Sequence, residues 1–448
     1  MGDQVGGSDT ARRQQLGALL SHFPPTIVAF AYGSGVFAQR DTLGGRACHV
    51  DGILNCVGRA TGRSGFSNGY ARHELGRICS PSFASTSILS TSSAGRMDGD
   101  GNGMPCMPGK TLDLIFGVDN LGKWLEANMV LNPSHYPVGA RIAGPQLLAL
   151  LACELGSGVK YHVGPKVRVG GVRVKYGVVQ MDVMKSDLQG WDTLHLSGRM
   201  QKPVVLLKWN ADMASAQYSN LERSLGLARI LLPEQFSEFD LWRKTTELSY
   251  RGDVRTYFNA EDPLKAPKIV HGTGFQLFRD LYAPVLHGVA GKGLNHVSTG
   301  VTLSRVVVDG SISGWRFSGF KDDLMLKQDK SLATMVKMFC LLPIWMLSSS
   351  AQSLGLRRAT PTIQYLESLT PGIRREAKMD LAGTLLRRHG TGVVAATLVQ
   401  ALSAFNLRSS LRQATFGILT AGPAVAWSYG LRKLRKGSGA HLRQRMYI

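Results

Sequence analysis

The chain has 448 residues, of which 44% are hydrophobic and 19% charged. That is ample for a large core spread over roughly two or three domains, and it excludes a chain too small or too polar to fold. A formal net charge of +21 and an isoelectric point near 9.9 point to a polyanionic partner, whether nucleic acid, nucleotide or anionic lipid, without choosing among them.

In chain order, the first feature is Ala11 to Leu20, a basic amphipathic turn or two. Asp3 and Asp9 argue against a transit peptide, so an ordinary first helix is expected, ending at Ser21 to Pro25. No secretory signal is visible, which makes reduced thiols the expectation. Ile27-Val28-Ala29-Phe30 then reads as a short buried strand running on to Tyr32 and breaking into Gly33-Ser34-Gly35. Two glycines around a serine permit a tight turn and a close backbone approach to a ligand. The exposed N–H groups and the Ser34 hydroxyl suit phosphate oxygens.

Residues 41–109 are rich in Gly, Ser, Arg and Asn and poor in aromatics, which predicts a mostly disordered insertion. Four of the six cysteines, Cys48, Cys56, Cys79 and Cys106, fall here, but the short ligand spacing of a zinc site is missing. Asp98, Asp100 and Asn102 start like a calcium loop. The twelfth position is Gly109 rather than Glu, and Pro105 and Pro108 interrupt the loop, so it is rejected.

Thr111 to Asp119 is a second apolar strand with an acid inside it. By the two-residue period Asp113, Ile115 and Gly117 share a face. A carboxylate there is costly to bury unless it is paired or binds a metal. A partly exposed edge strand or a salt bridge would satisfy it; so would a metal ion. A Gly-Ser turn after one strand with an aspartate on a following strand is how nucleotidyltransferases hold a triphosphate and Mg²⁺.

Asn132-Pro133 and Tyr136-Pro137 mark a loop in which His135 is expected to be a hydrogen-bonder. Gln146 to Leu155 has a helical apolar pattern stopped by Gly156-Ser157-Gly158. Val167 to Val179, alternating around Gly170-Gly171, predicts a hairpin. Arg173 and Lys175 share one of its faces; that face is solvated, or meets phosphates if the sheet carries Asp113. Asp187 to Arg199 predicts a helix with Trp191 and Leu194 inward, and Asn220 to Leu232 another, stopped by Pro233. From Arg251 to Lys265 three acids (Asp253, Glu261, Asp262) and three bases (Arg251, Arg255, Lys265) share a short, Gly/Pro-punctuated span, which by itself suggests a salt-bridged surface turn. Val301-Thr302-Leu303 and Val306-Val307-Val308 read as strands, and Met335 to Leu347, with Lys337 and Pro343, is too interrupted for a membrane span. Gly392 to Leu407 and Gln413 to Leu431 carry no charge and predict two amphipathic or buried helices. The basic end that follows, with Arg432, Lys433, Arg435 and Lys436 after Trp427 and Tyr429, suits an anionic bilayer surface.

Several stretches together, collinear over nearly the whole chain, resemble the mitochondrial phosphatidate cytidylyltransferases. They are Tyr32-Gly33-Ser34-Gly35-Val36-Phe37, Leu112 to Val118, Asn132-Pro133-Ser134-His135-Tyr136 and Lys175-Tyr176-Gly177-Val178, followed by Gly198 to Val204, Leu248 to Arg255, Ser409 to Gln413 and Thr420-Ala421-Gly422. The resemblance implies an α/β fold with three parts: a mixed-sheet nucleotidyltransferase-like domain over 1–215, a mainly helical winged-helix-like domain over 216–380, and a membrane-associating segment over 381–448. It implies that CTP and phosphatidic acid give CDP-diacylglycerol and pyrophosphate with Mg²⁺, for cardiolipin and phosphatidylglycerol synthesis. The expected place is the matrix side of the mitochondrial inner membrane, as a peripheral protein. On this likeness Tyr32, Gly33, Ser34 and Gly35 cradle the triphosphate and Asp113 binds the metal. Lys175, Arg199 and Lys202 contact phosphates, while Asp253 and Glu261 face the site and compete for the role of second metal carboxylate. No nucleic-acid partner is expected. Departures include Lys160 and His162, and Phe416 where a lysine is usual. A nucleotidyltransferase acting on RNA and a non-catalytic membrane-surface adaptor are the alternatives.

Overall fold

The computed structural model describes residues 17–37, 111–162, 167–169, 171–258, 261–286, 288–292, 294–296, 324–356 and 363–421. The insertion at 41–109, the strands expected at 301–303 and 306–308, and Arg432, Lys433, Arg435 and Lys436 lie outside these residues.

A mixed sheet is built from β1 (Val28–Tyr32), β2 (Leu112–Val118), β3 (Val159–His162), β4 (Arg168–Val169), β5 (Val172–Gln180) and β6 (Val205–Lys208). The order is β3-β5-β2-β1-β6, with β4 closing the predicted hairpin on β5. β2 is thus central rather than an edge strand, parallel to β5 and antiparallel to β1. Its alternation fills two cores. Leu112, Leu114 and Phe116 pack with Trp124 and Tyr176 on one face, while Ile115 packs with Val28, Phe30, Val179 and Met184 on the other. Asp113 belongs to the second face by the same alternation.

The first face is covered by the helices Leu121–Leu131 and Pro145–Glu154. The former is capped by the Asn120 side chain, which accepts from the Lys123 N–H at 2.9 Å. Buried Asn128 donates to the hydroxyls of Tyr136 and Tyr176 at 2.8 and 2.9 Å, and His135 Nδ1 meets the Tyr176 hydroxyl at 2.9 Å. The expected loop histidine is therefore a core hydrogen-bonder, its pKa lowered chiefly by burial.

The helix expected over 187–199 is instead two. Met181–Gly190 ends with Trp191 in the left-handed region (φ 57°), and Ser197–Met200 begins a new short helix. The reason is Asp187. Its carboxylate, 2% exposed, accepts from the backbone N–H of Thr193, Leu194, Leu196 and Ser197 at 2.7–2.9 Å and from the Thr193 hydroxyl at 3.0 Å. Those donors can converge only if the chain turns around the carboxylate instead of continuing helically. Trp191 and Leu194 are buried as expected, and the Trp191 indole donates to Asn220 Oδ1 at 2.9 Å.

Met213–Leu231 is the shared spine of the molecule. Its start, with Ala216, joins the sheet core; Leu221, Leu225 and Ala228 join a second core and Leu227 and Ile230 a third. The second core surrounds β7 (Gln235–Ser237), β8 (Leu294–His296) and β9 (Met325–Gln328), an antiparallel sheet in the order β7-β9-β8. The helices Glu238–Glu247, Lys265–Thr273 and Phe275–Leu286 pack around it. The buried Arg279–Glu238 pair, to which Trp242 adds a 2.9 Å bond, ties two of them together.

Leu332–Leu341 and Ile344–Ser353 bend by 120° at Pro343. The helix expected from Gly392 to Leu407 and the described part of that expected from Gln413 to Leu431 form one, residues 422–431 lying outside the described residues. Helical residues run from Pro371 to Ala421 with a single break at Gly390 (φ 76°, ψ 157°), and Arg408 and Arg412 lie inside without ending the helix. Val394, Leu398 and Leu402 are fully buried in the third core. Further on, Asn406 donates to the carbonyls of Leu248 and Arg251, Ser409 to that of Thr193, and Arg412 to that of Glu154. Gln413 accepts from the Ser157 hydroxyl at 2.6 Å. The part of 381–448 that is described is a strut against both halves of the protein. Lys160 and Phe416, two departures from the family pattern, meet there with the ammonium 5.5 Å over the ring, and burial brings the lysine down to about 8.

Candidate active site

Strand direction gathers the predicted residues at one edge of the sheet. β1 ends there at Tyr32, opposite Asp113. β2 starts there, with Asp113 beside Lys175 of β5. β6 starts there too, so the segment preceding it, with Arg199 and Lys202, arrives at the same edge.

The turn Gly33–Gly35 is one 3₁₀ turn in which the N–H groups of Val36 and Phe37 both close on the Gly33 carbonyl. Gly33 has φ +77°, and a Cβ there would lie 3.3 Å from Asp113 Oδ2. A Cβ on Gly35 would lie 2.5 Å from the Thr111 carbonyl. Both glycines are needed to seat the turn against the start of β2, and the turn and the carboxylate share one cleft. Lys175 Nζ stands 3.7 Å from Asp113 Oδ1, with both side chains part-exposed. The salt bridge and the ligand-facing reading of Asp113 therefore coexist.

Arg199 lies over the Tyr32 ring at 4.3 Å and near the Tyr161 ring at 5.9 Å. Burial works against its charge, but Tyr161, Tyr32, Tyr250 and Asp113 outweigh it and raise its pKa. Its Nε finds no hydrogen-bond acceptor among the described residues. Lys202 donates to the Gly198 carbonyl and, at 2.8 Å, to Ser249 Oγ. The Tyr250 ring takes Lys202 at 5.0 Å and Lys265 at 4.6 Å. Burial, then Arg199 and Lys265, holds Lys202 well below the usual lysine range. Burial foremost also lowers Lys265, despite its 2.6 Å pair with Glu261. Burial and neighbouring acids push Tyr250 up to about 12.

Asp253 and Glu261 do face this region, but they are engaged by cations of their own span. Arg255 binds Asp253 through two nitrogens at 2.9 and 2.6 Å and reaches Glu261 at 3.1 Å. Burial would raise the Asp253 carboxyl; the hydrogen bond and charge of Arg255 outweigh it and hold it below the usual range. Among the described residues no group of three or more His, Cys, Asp or Glu side chains is placed to hold a metal ion. Asp113, Asp253 and Glu261 are thus not one ligand cluster. A cavity of about 470 Å³ adjoins the span, lined by Tyr250, Thr256, Tyr257, Glu261, Lys265 and Ser403 among others.

Sequence reasoning missed Tyr250, Lys265, Tyr161 and His195 as neighbours of the site. Tyr161 donates to or accepts from His195 Nε2 at 2.9 Å. Burial, then Arg199 and Arg255, brings His195 down to about 3. Lys265 and Tyr250 carried a signal, since Lys265 belongs to the acid–base span and Tyr250 adjoins it; Tyr161 and His195 carried none.

Together these features define an α/β protein whose cleft sets one carboxylate and a glycine-seated turn among several crowded cations, an arrangement with the chemistry to receive a polyphosphate. Comparison with known proteins gives the family. The model of the family described as "Phosphatidate cytidylyltransferase, mitochondrial" matches residues 16–436. Proteins of that name from Schizosaccharomyces pombe, Dictyostelium discoideum and Mus musculus are similar to this chain. The first is 30% identical over 326 residues, covering 73% of this chain and 74% of that protein. The second is 29% identical over 301 residues (63% and 55%), and the third 35% identical over 181 residues (39% and 51%). The chain belongs to the mitochondrial phosphatidate cytidylyltransferase family.

Proposed function

We propose that the chain joins CTP to phosphatidic acid, giving CDP-diacylglycerol and pyrophosphate. Family membership supports the reaction, and the observation that carries the site is the contact between the Gly33 turn and Asp113. A phosphate oxygen of phosphatidic acid attacks the α-phosphorus of CTP. As that bond forms, the bond from the α-phosphorus to the oxygen bridging to the β-phosphorus breaks and pyrophosphate leaves. The attacking phosphomonoester is already an anion, so the protein's task is alignment and neutralisation rather than strong base catalysis.

The N–H groups and hydroxyl of the Gly33–Gly35 turn hold triphosphate oxygens, with Tyr32 keeping Arg199 at their side. Arg199, with an unused Nε, and the mutually repelling Lys202 and Lys265 neutralise the two polyanionic substrates; Lys175 steadies Asp113. Arriving anions favour the charged form of lysines that burial holds below their usual range. Mg²⁺ is bound in many sites by one or two carboxylates plus substrate phosphates, so Asp113 beside the phosphate cradle fits it. When bound, the ion neutralises charge on the departing pyrophosphate. Asp253 and Glu261 serve by holding Arg255 and Lys265 in place.

In the same reading the helices around β7, β8 and β9 are the winged-helix-like domain, and the sheet of β1–β6 the nucleotidyltransferase-like one. The protein works as a peripheral protein on the matrix side of the mitochondrial inner membrane, where the basic end beyond Leu431 meets anionic lipid. Incubating the protein with labelled CTP, Mg²⁺ and either phosphatidate vesicles or RNA tests the reading. Label is expected in a lipid product; label in RNA, or in neither, overturns it.

A further inference from the structure

The helical layer over the first face of the sheet is itself covered by little among the described residues. Val130 is 82% and Ile142 81% exposed, and Leu147 and Leu150 are exposed on the next helix. These side chains stand on the consecutive helices Leu121–Leu131, Val138–Ala143 and Pro145–Glu154, which pack on one another. The C-terminal helix adjoins them through Arg412 on the Glu154 carbonyl and Phe416 against Gly156, and it adds exposed Ile418 and Leu419. A patch of this kind is unusual on a surface facing only water.

Its charges say what covers it. Between the exposed acids Glu126 and Glu154 at its two ends, the sole charged residue of this stretch is Arg141, and it is exposed. After Asp380 the sequence contains no Asp or Glu at all, while Arg408 and Arg412 lie in the part of the helix that adjoins these elements. An apolar face with few acids, flanked by exposed Arg141, Arg408 and Arg412, complements an anionic bilayer better than a protein surface of mixed charge. Helix Leu121–Leu131 also runs back along the sheet. Trp124 packs near Phe116, and Asn128 lies farther along at Tyr176, which pairs with Leu114. Its Val130 end therefore approaches the edge that carries Asp113.

We propose that the exposed face of Val130, Ile142, Leu147 and Leu150, continued by Ile418 and Leu419, docks on an anionic lipid bilayer. This surface is built from residues other than the basic end of the chain. It rests on the reading of the chain as an enzyme of a lipid substrate and adds where the bilayer is met. Docked this way, the protein reaches the phosphate head group of a lipid whose chains stay in the membrane.

The test is co-sedimentation of the full chain with vesicles of phosphatidylcholine and phosphatidylglycerol, comparing wild type with Val130→Ser/Ile142→Ser/Leu150→Ser. Burial of each such side chain supports about a tenfold difference in partitioning, so the triple variant should bind at least about a hundredfold more weakly. It should keep its turnover of detergent-dispersed phosphatidate. Binding equal to wild type overturns the proposal, as does a wild type that ignores vesicles or a face shown to be covered by a second copy or by residues 422–448. Should the triple variant fail to fold, Ile142→Trp serves instead. Its fluorescence should be quenched by brominated lipid, and an unquenched indole overturns the proposal. Failure of the enzymatic reading would show separately, as wild type inactive on detergent-dispersed phosphatidate.

Discussion

Two glycines offer a controlled perturbation of the site. Gly33 and Gly171 both sit at φ +77°, but a Cβ at Gly33 meets Asp113 Oδ2 at 3.3 Å, whereas a Cβ at Gly171 meets nothing within 4 Å. Alanine at either position should cost about 1–2 kcal/mol of backbone strain. Only at position 33 must the carboxylate also give way by a few tenths of an ångström. If that displacement forfeits one charge-assisted interaction of about 1.5 kcal/mol, kcat/KM for CTP falls about tenfold further. Thermal melts and CTP-dependent pyrophosphate release, measured on both variants, give the comparison. Similar melting losses with an activity loss confined to Gly33→Ala support the shared cleft. Equal kcat/KM in the two variants would refute it.

Two further outcomes follow from buried groups. Asp187→Asn replaces one acceptor oxygen with an amide facing backbone N–H donors, and should destabilise the protein by about 1–3 kcal/mol in denaturant melts. Turnover should fall beyond that loss, because the turn it holds carries Arg199. His195 is neutral in the folded protein, its pKa of about 3 lying below the 6.5 of the unfolded chain. The unfolded state therefore binds more protons across that window, and the stability contributed by neutral His195 is complete above pH 6.5 and lost as pH falls toward 3. From pH 6.5 to 5.5 the loss is about 1 kcal/mol from this group, and His195→Gln should flatten the measured slope by that amount.

The parts of the fold legible in the sequence were those set by local pattern. The alternation in Leu112 to Val118 and the Gly170-Gly171 hairpin emerged as read, as did the helix end before Pro233. Patterns decided at long range were not legible. Asp187 broke a helix because its carboxylate gathers donors up to ten residues ahead. The C-terminal helix runs through Arg408 and Arg412 because tertiary contacts, not charge-free length, fix its extent. At the site, the Gly-Ser turn and Asp113 were visible because each violates the local rule for a buried strand. The pairing of Lys202 and Lys265 across Tyr250 joins positions 63 residues apart in the chain, a proximity no spacing rule supplies.

The central claim is that Asp113 and the glycine-seated turn form the place where CTP reacts. Single-turnover formation of CDP-diacylglycerol from CTP and phosphatidate by wild type and Asp113→Asn tests it most directly. With melting unchanged, the variant should be slower by at least about a hundredfold to a thousandfold, the loss seen when one preorganised electrostatic group is removed. Turnover by the variant at the wild-type rate would contradict the account.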